Sequence, residues 1–500
     1  MFPKLDFFMR IQKYVIAASV LILYSNVICA QVVDPRKSYE DFKNQAKQAF
    51  YNFRKQANEQ YAIFLENAWK QYNTFPAVPK PKDETIPPII IPDEERNKPI
   101  ENNPIPIKNV VTPPTPAPQP KPIEPIKEKT QPNERTIQFV YCGTKCIVRI
   151  NDEAKDVLSN LKCDNNHLSK VWTSLSENDL MNNTIRDCLA LRIEKNLCDW
   201  AYLNLLHSFS KAVYGNTNEA TMLTSYIFSQ SGYKMRIGRN GQRIYLLYAS
   251  EHGIYEIPYF NIDNLNFYPF ECNENQLEIC DASFPQERPL SLYIPQNQKF
   301  EYKASDLRTL TSKRYPNVQV QVQVNENLID FYNTYPTSEV NGNFMTRWAM
   351  YANTPLDEHV KAILYSALKD KIKGLSQLEA VNKLLNWVQT AFVYEYDDKV
   401  WGHDRAFFAE ETLYYPYCDC EDRSILFSRL IRDLLGLKTI LVFYPGHLAS
   451  AVCFTDNVSG DYISLNGKHY VITDPTYIGA PVGMTMPDMD NSQAHVILLE

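Results

Sequence analysis

Positive charge is scarce in this chain. Lysine and arginine total 51 against 58 aspartates and glutamates, a formal net charge of −7. That leaves no electrostatic footing on a polyanion, so nucleic acid is excluded as a partner. Beyond residue 30 there is no apolar run long enough to span a bilayer. The pair Cys418-x-Cys420 has no second cysteine pair at ligand spacing behind it. A zinc site needs such a set, so no metal and no cofactor is expected.

What is present begins with an export signal. Lys4, Arg10 and Lys13 precede the apolar stretch from Tyr14 to Leu23, and Ala30 offers a small residue at a cleavage point. Residues 1–30 therefore read as a signal peptide, and the mature chain as periplasmic, cell-surface or secreted. Cys29 raises a lipoprotein alternative, but Ile28 before it is bulky where lipidation calls for a small residue. Of 11 cysteines, ten remain once Cys29 is removed. In an oxidising compartment many would pair, Cys142 and Cys146 or Cys272 and Cys280 being close in sequence. Connectivity cannot be deduced from spacing; a Cys418–Cys453 disulfide that leaves Cys420 free is one arrangement.

The chain then divides by composition. Residues 31–75 carry an eleven-residue repeat, Tyr39, Phe42 and Ala46 recurring as Phe50, Phe53 and Ala57, then Tyr61, Phe64 and Ala68, and restarting at Tyr72 and Phe75. At 3.67 residues per turn this predicts one long helix with an aromatic stripe, packed on the protein itself or on a copy, or serving as a cell-envelope arm. From 76 to 132 there are 17 prolines in 57 residues, which predicts an extended, exposed linker. Residues 133–345 alternate strand and helix signals, with an Asn240-Gly241 turn and the alternating run Val318 to Val324, and predict an α/β middle domain. Its stretch from Asn218 to Gly232 and the strand after it have the spacing of Asp422 to Gly436. If this is a degenerate second copy, Asn216 stands at the position of Cys420.

Residues 346–500 hold the chemistry. Ser376 and Glu379 form a capping box ahead of an apolar face at Ala380, Val381, Leu384, Leu385 and Val388. An aromatic-rich connector, Phe392 to Tyr417, leads to Tyr417-Cys418-Asp419-Cys420-Glu421-Asp422. There the apolar positions 426, 427, 430, 431, 434 and 435 predict a helix that Gly436 stops. Cys420 lies at its first turn, where the helix dipole should lower the thiol pKa. A strand to Tyr444, a turn at Pro445-Gly446, His447 opening the next strand and an Asn466-Gly467 hairpin follow, and that hairpin delivers Asp474 before Pro475. Cysteine on a helix start with histidine and aspartate on later strands can build a triad. The thiolate attacks a carbonyl, the imidazole moves the proton, and the carboxylate fixes the imidazole through Nδ1–H. His403 and His469 are alternative bases. The Cys420 backbone N–H, with a side chain from the Trp401–Tyr417 connector, is the candidate oxyanion donor.

The run Asp419-Cys420-Glu421-Asp422, then Gly436, His447 and Asp474-Pro475-Thr476, resembles the transglutaminase-like cysteine peptidase superfamily, in its exported bacterial form. The likeness reaches upstream through Glu411-Thr412-Leu413 and Tyr394-Glu395-Tyr396-Asp397 to Trp387. Where that family often has an aromatic two residues after the histidine, this chain has Ala449. The resemblance implies an α+β fold with a papain/transglutaminase-like core, a cysteine-bearing helix packed on an antiparallel sheet that bears the histidine and aspartate. It implies a Cys420-His447-Asp474 triad, an acyl-thioester intermediate, and a protein or peptide substrate whose amide bond is hydrolysed or transferred. The alternative is a catalytically silent binding or scaffold protein of the cell envelope that keeps the fold.

Overall fold

A computed structural model of the chain describes residues 59–81, 86–113, 133–159, 161–176, 179–283 and 286–500. The signal peptide, Cys29, the repeats from 39 to 58 and residues 114–132 of the proline tract lie outside them. Two compact units divide at Tyr61/Ala62. Of the first, only the helical residues 59–61 are described. The second, Ala62–Glu500, takes in both 133–345 and 346–500 as one body. It is α+β, with several antiparallel sheets.

The elements that position the site are β1 (Trp69–Asn73), β2 (Asn109–Val111), β3 (Glu134–Tyr141), β4 (Thr144–Asn151), α1 (Asp199–Tyr214) and α2 (Asn218–Gln230). Then come β5 (Met235–Asn240), β6 (Arg243–Ser250), β7 (Phe260–Ile262), β8 (Leu265–Pro269) and β9 (Gln276–Cys280). They are followed by α3 (Gln377–Ala391), α4 (Cys420–Leu435), β10 (Lys438–Tyr444), β11 (His447–Cys453), β12 (Tyr462–Leu465), β13 (Lys468–Thr473) and β14 (His495–Leu498). Local chemistry sets their ends. The Ser376 hydroxyl and the Glu379 carboxylate cap α3 reciprocally. Gly436 closes α4 at φ 65°, a left-handed conformation that costs glycine little. Asn466 and Gly467, at φ 50° and 72°, make the β12–β13 turn.

The repeat helix does not reach Phe75. Helix gives way after residue 66, and Trp69–Asn73 is a strand paired antiparallel with β9, from Trp69 opposite Cys280 to Asn73 opposite Gln276. Two causes are visible, one local and one distant in the chain. The Asn67 side-chain amide donates to the Ile63 carbonyl at 2.9 Å and competes with the helix ladder. The edge of β9 offers a full row of backbone partners, and the Arg239 guanidinium stacks 5.3 Å from the Trp69 ring.

The described part of the proline tract is not a free spacer either. Ile91, Ile105 and Val111 are buried in the body. Phe75 and Val78 bridge to Tyr259 and Tyr255, Ile105 N–H donates to the Tyr462 carbonyl, and β2 runs parallel to β14. Prolines fix φ and isoleucines between them supply buried surface, so the tract is extended yet anchored. All ten described cysteines are free thiols. Cys142 sits in the β3–β4 turn at φ 43° while Cys146 points into the interior, so neither these two nor Cys418 and Cys453 pair.

The two large sheets share one plan. The first runs β1-β9-β5-β6-β8-β7 and the second β2-β14-β10-β11-β13-β12. In each, a helix pair precedes a hairpin, then a second hairpin, then a strand that returns beside the first; α2 packs on β5 and β6 as α4 packs on β10 and β11. One edge strand of each comes from the 69–111 segment, antiparallel in the first sheet and parallel in the second. The second sheet's core is Ile440, Val442, Tyr444, Ala449, Ala451, Ile463, Ile472 and Val496.

Candidate active site

The start of α4 is held by its own acids. Asp422 accepts the Asp419 N–H at 3.2 Å with one oxygen and the Phe407 N–H at 2.8 Å with the other, tying the helix start to the connector before it. Glu411 accepts the Phe408 N–H at 3.0 Å. Arg423, buried on the first turns of α4, donates to the carbonyls of Gln389 and Phe392 at 3.1 Å each and to Cys418 Sγ at 3.5 Å. Cys418 is thus a structural thiol, and Cys420 is the first residue of α4, 2% exposed.

His447 opens β11 and Asp474 follows β13, the neighbouring strand, in which Thr473 lies opposite Ser450. Their side chains meet: Nε2 of His447 lies 2.8 Å from Asp474 Oδ2, with the histidine 1% and the aspartate 3% exposed. The nitrogen is Nε2 rather than the expected Nδ1. Nδ1 is buried and has no hydrogen-bond partner among the described residues. The other oxygen of Asp474 accepts the N–H groups of Thr476 and Tyr477 at 2.8 and 3.2 Å. Asp474 therefore both forms the turn and orients the histidine. His403 and His469 are exposed, the latter stacked 4.3 Å from the Tyr462 ring.

Cys420 is not bonded to this pair among the described residues; the helix that carries it packs on β11, the strand His447 opens. Its sulfur accepts the N–H of Leu448, the residue after His447, and Ser424 one turn later donates to the Leu448 carbonyl at 2.8 Å. The thiol proton is directed to Glu421 Oε2 at 3.3 Å. The expected low thiol pKa is reversed. Burial, then the charges of Glu421 and Asp419, push it well above the ordinary thiol value, outweighing the Leu448 N–H. The sequence argument counted the helix dipole and not the carboxylates folded in around it.

Those carboxylates form a buried group. Asp419, Glu421 and Asp422 are all held above the usual range, burial being the largest cause in each and neighbouring acids the next. Asp397, raised to about 8 by burial and by Glu421, belongs with them. Arg347, 0% exposed, supplies the counter-charge: it chelates Asp404 and lies 3.8 Å from Glu421 Oε1. The donor atoms of Asp397, Asp404 and Glu421 lie within 4.8 Å of one another, as do those of Asp419, Cys420 and Glu421. These are the residues that could hold a metal, but Arg347 already provides the cation beside the first set.

Two contributors escaped the sequence reading. Gln389, 2% exposed, lies in α3 one turn beyond Leu385, a polar residue on an apolar stripe, and that interruption was the available signal. Its Nε2 donates to the carbonyls of Asp474, Tyr477 and Ala480 at 3.0, 2.8 and 3.1 Å, and its Oε1 accepts the Gly479 N–H at 3.0 Å. One side chain thereby fixes the loop that carries Asp474. Tyr394 is the other. Its hydroxyl is buried without a partner among the described residues, and its ring lies 5.2 Å from the Arg423 guanidinium.

The first sheet shows what stands at the matching places. The Ile244 N–H donates to Asn218 Oδ1 at 3.1 Å, as the Leu448 N–H does to Cys420. Asn218, not Asn216, therefore matches the cysteine, since α2 begins at Asn218. Arg243 opens β6 as His447 opens β11. Phe270 donates to the Leu246 carbonyl as Thr473 pairs with Ser450, which puts Glu271 at the place of Asp474; it bonds His207 at 3.0 Å instead. No thiol or imidazole remains at these three positions.

Comparison with protein-family models, curated proteins and solved structures finds no match for this chain.

Proposed function

We propose that the chain is an exported transglutaminase-like thiol enzyme that opens a peptide or amide bond through Cys420, His447 and Asp474, on a papain/transglutaminase-like core. The observation that carries this reading is the buried His447–Asp474 pair, in which Nδ1 has no partner among the described residues, while the helix carrying Cys420 packs against the same strand. In this mechanism Nδ1 takes the thiol proton and the sulfur attacks the carbonyl carbon. The C–N bond breaks as the imidazolium returns that proton to the leaving nitrogen, and a thioester remains. Water or an amine then attacks the thioester and frees the thiol. Asp474 keeps Nε2 protonated and so holds Nδ1 as the base. The Cys420 N–H, joined by the Tyr394 hydroxyl, is the donor set for the developing oxyanion. The substrate is a protein or peptide, and the segment ahead of β1, as the arm read from its repeat, would address the enzyme to the cell envelope or to a copy of itself.

A second reading is favoured by the raised thiol pKa and the thiol's bond to Glu421: a silent binding module that keeps the fold. Labelling with a cysteine-directed peptidyl electrophile separates the two. Under the first reading adduct forms at Cys420, and His447→Ala slows it by about a hundredfold, the usual worth of a general base. Adduct formation indifferent to His447 would favour the module.

A further inference from the structure

The extended segment 86–91 touches the site from the side of the histidine and aspartate. The Ile86 N–H donates to the carbonyl of Gly446, the residue before His447, at 2.9 Å. The Ile478 N–H donates to the Ile89 carbonyl at 2.8 Å, the Ile91 N–H donates to the Ile478 carbonyl at 3.0 Å, and Ile90 forms a parallel bridge to Ile478, four residues beyond Asp474. About Ile90 the side chains alternate. Ile91 is 2% exposed, and Ile86 and Ile89 pack on Tyr477, Ala480 and Met486, while Ile90 points outward at 71%. This is how an extended peptide adds itself to a backbone edge, with main-chain bonds for affinity and alternate side chains in apolar seats. On the opposite wall the Lys80 ammonium bonds the Asp404 carbonyl at 3.3 Å and pairs with Glu256 at 3.4 Å. Asp404 is the carboxylate that Arg347 holds beside Glu421. The tract is thus anchored next to both halves of the site, whose cysteine, histidine and aspartate are all at most 3% exposed.

We propose that residues 86–91 occupy the enzyme's own peptide-binding edge as a tethered pseudo-substrate. The substrate is then an extended peptide with aliphatic residues at the first, fourth and sixth positions of the stretch, bound by the Gly446 carbonyl and the main chain of Ile478. This rests on the reading of Cys420, His447 and Asp474 as a peptide-bond-opening triad. A tethered strand competes at an effective concentration of about millimolar, so an incoming peptide gains the edge only after the strand is released.

The test is the rate at which iodoacetamide alkylates Cys420 in the full chain, followed by peptide mass spectrometry. The comparison is with Ile86→Gly/Ile89→Gly/Ile91→Gly, strand release being confirmed by tryptic cleavage after Arg96. Release should accelerate alkylation by about tenfold or more, corresponding to one or two lost main-chain bonds. A synthetic peptide of residues 85–93 should slow it again. Ile86→Pro, which removes only the N–H that meets Gly446 and one side chain, should do the same to a smaller degree and serves if the triple variant unfolds. Alkylation unchanged after confirmed release, or accelerated but insensitive to the peptide, overturns the proposal. The triad is judged separately by adding His447→Ala to the released variant: alkylation that accelerates on release yet ignores His447 would sink the triad and leave the peptide edge standing.

Discussion

Replacing Glu421 by glutamine should make Cys420 more reactive. Its Oε2 accepts the thiol proton at 3.3 Å, and its charge is the largest cause after burial of the raised thiol pKa. Two unit charges at that distance in an effective dielectric of about 20 interact by about 5 kcal/mol, more than three pKa units. The full figure does not reach the sulfur, because Arg347 lies 3.8 Å from the other oxygen and offsets part of the carboxylate's charge. About one unit is the share to expect, so the thiolate fraction below the thiol pKa should rise about tenfold. The assay is the pH dependence of Cys420 alkylation in the parent and in Glu421→Gln. The parent should react more slowly than a free cysteine at neutral pH and accelerate into alkaline pH, and the variant's profile should shift toward acid by about one unit. Arg347 keeps Asp404 in the variant, so a melt should show the fold intact. An unshifted profile, or a shift toward alkaline pH, would refute the electrostatic account.

Asp474→Asn should lower turnover of a peptide probe by orders of magnitude, since an amide can donate to Nε2 and turn Nδ1 away from its role as base; near-parent turnover would reduce Asp474 to its turn bonds with Thr476 and Tyr477. Tyr394→Phe should leave the melting temperature within a few degrees and cut kcat by about a hundredfold if its hydroxyl meets the oxyanion, with KM little changed. A chain begun at Gln131 should melt well below the mature protein, because it loses β1, β2 and the buried Ile91, Ile105 and Val111, each isoleucine or valine worth about 1.5–3 kcal/mol. Glu410, fully buried and raised to about 8, binds its proton more tightly when folded. Its contribution is therefore complete below the ordinary glutamate pKa and is lost as pH rises toward 8, by at most about 5 kcal/mol. Thermal melts should accordingly weaken from pH 5 to pH 8, and Glu410→Gln should flatten that slope.

Local rules carried a good deal of this fold. The period of α4, its glycine stop, the capping box of α3, the Asn466-Gly467 turn and the span of β13 are each decided within a few residues, and each was readable. His447 and Asp474 were placed on strands by the same means, and their neighbouring strands bring the side chains together. What was not readable depends on residues far apart in the chain. The eleven-residue repeat predicts helix through Phe75, but the last repeat meets the edge of β9, some two hundred residues away, and becomes strand. A proline-rich composition says extended and is right about backbone; whether the isoleucines between the prolines find a surface is a tertiary fact. The Cys420 pKa turned on Glu421 and Asp419, which were legible as helix-start acids but not as buried ones.

One edge strand of each large sheet belongs to the same stretch of chain, and that stretch is connected in series. Tension applied ahead of β1 must first strip the five residues Trp69–Asn73 from β9 before it reaches Lys80, and only then Ile86, with β2 held in reserve behind them. Strands at an edge peel bond by bond or shear all at once depending on the direction of the load, and β1 and β2 run in opposite senses relative to their neighbours. A protein built this way takes a load from its N-terminal side on these edge contacts before the load reaches its candidate site. Stretching the chain from its N-terminal side would uncover that site while the two sheets beneath remain folded.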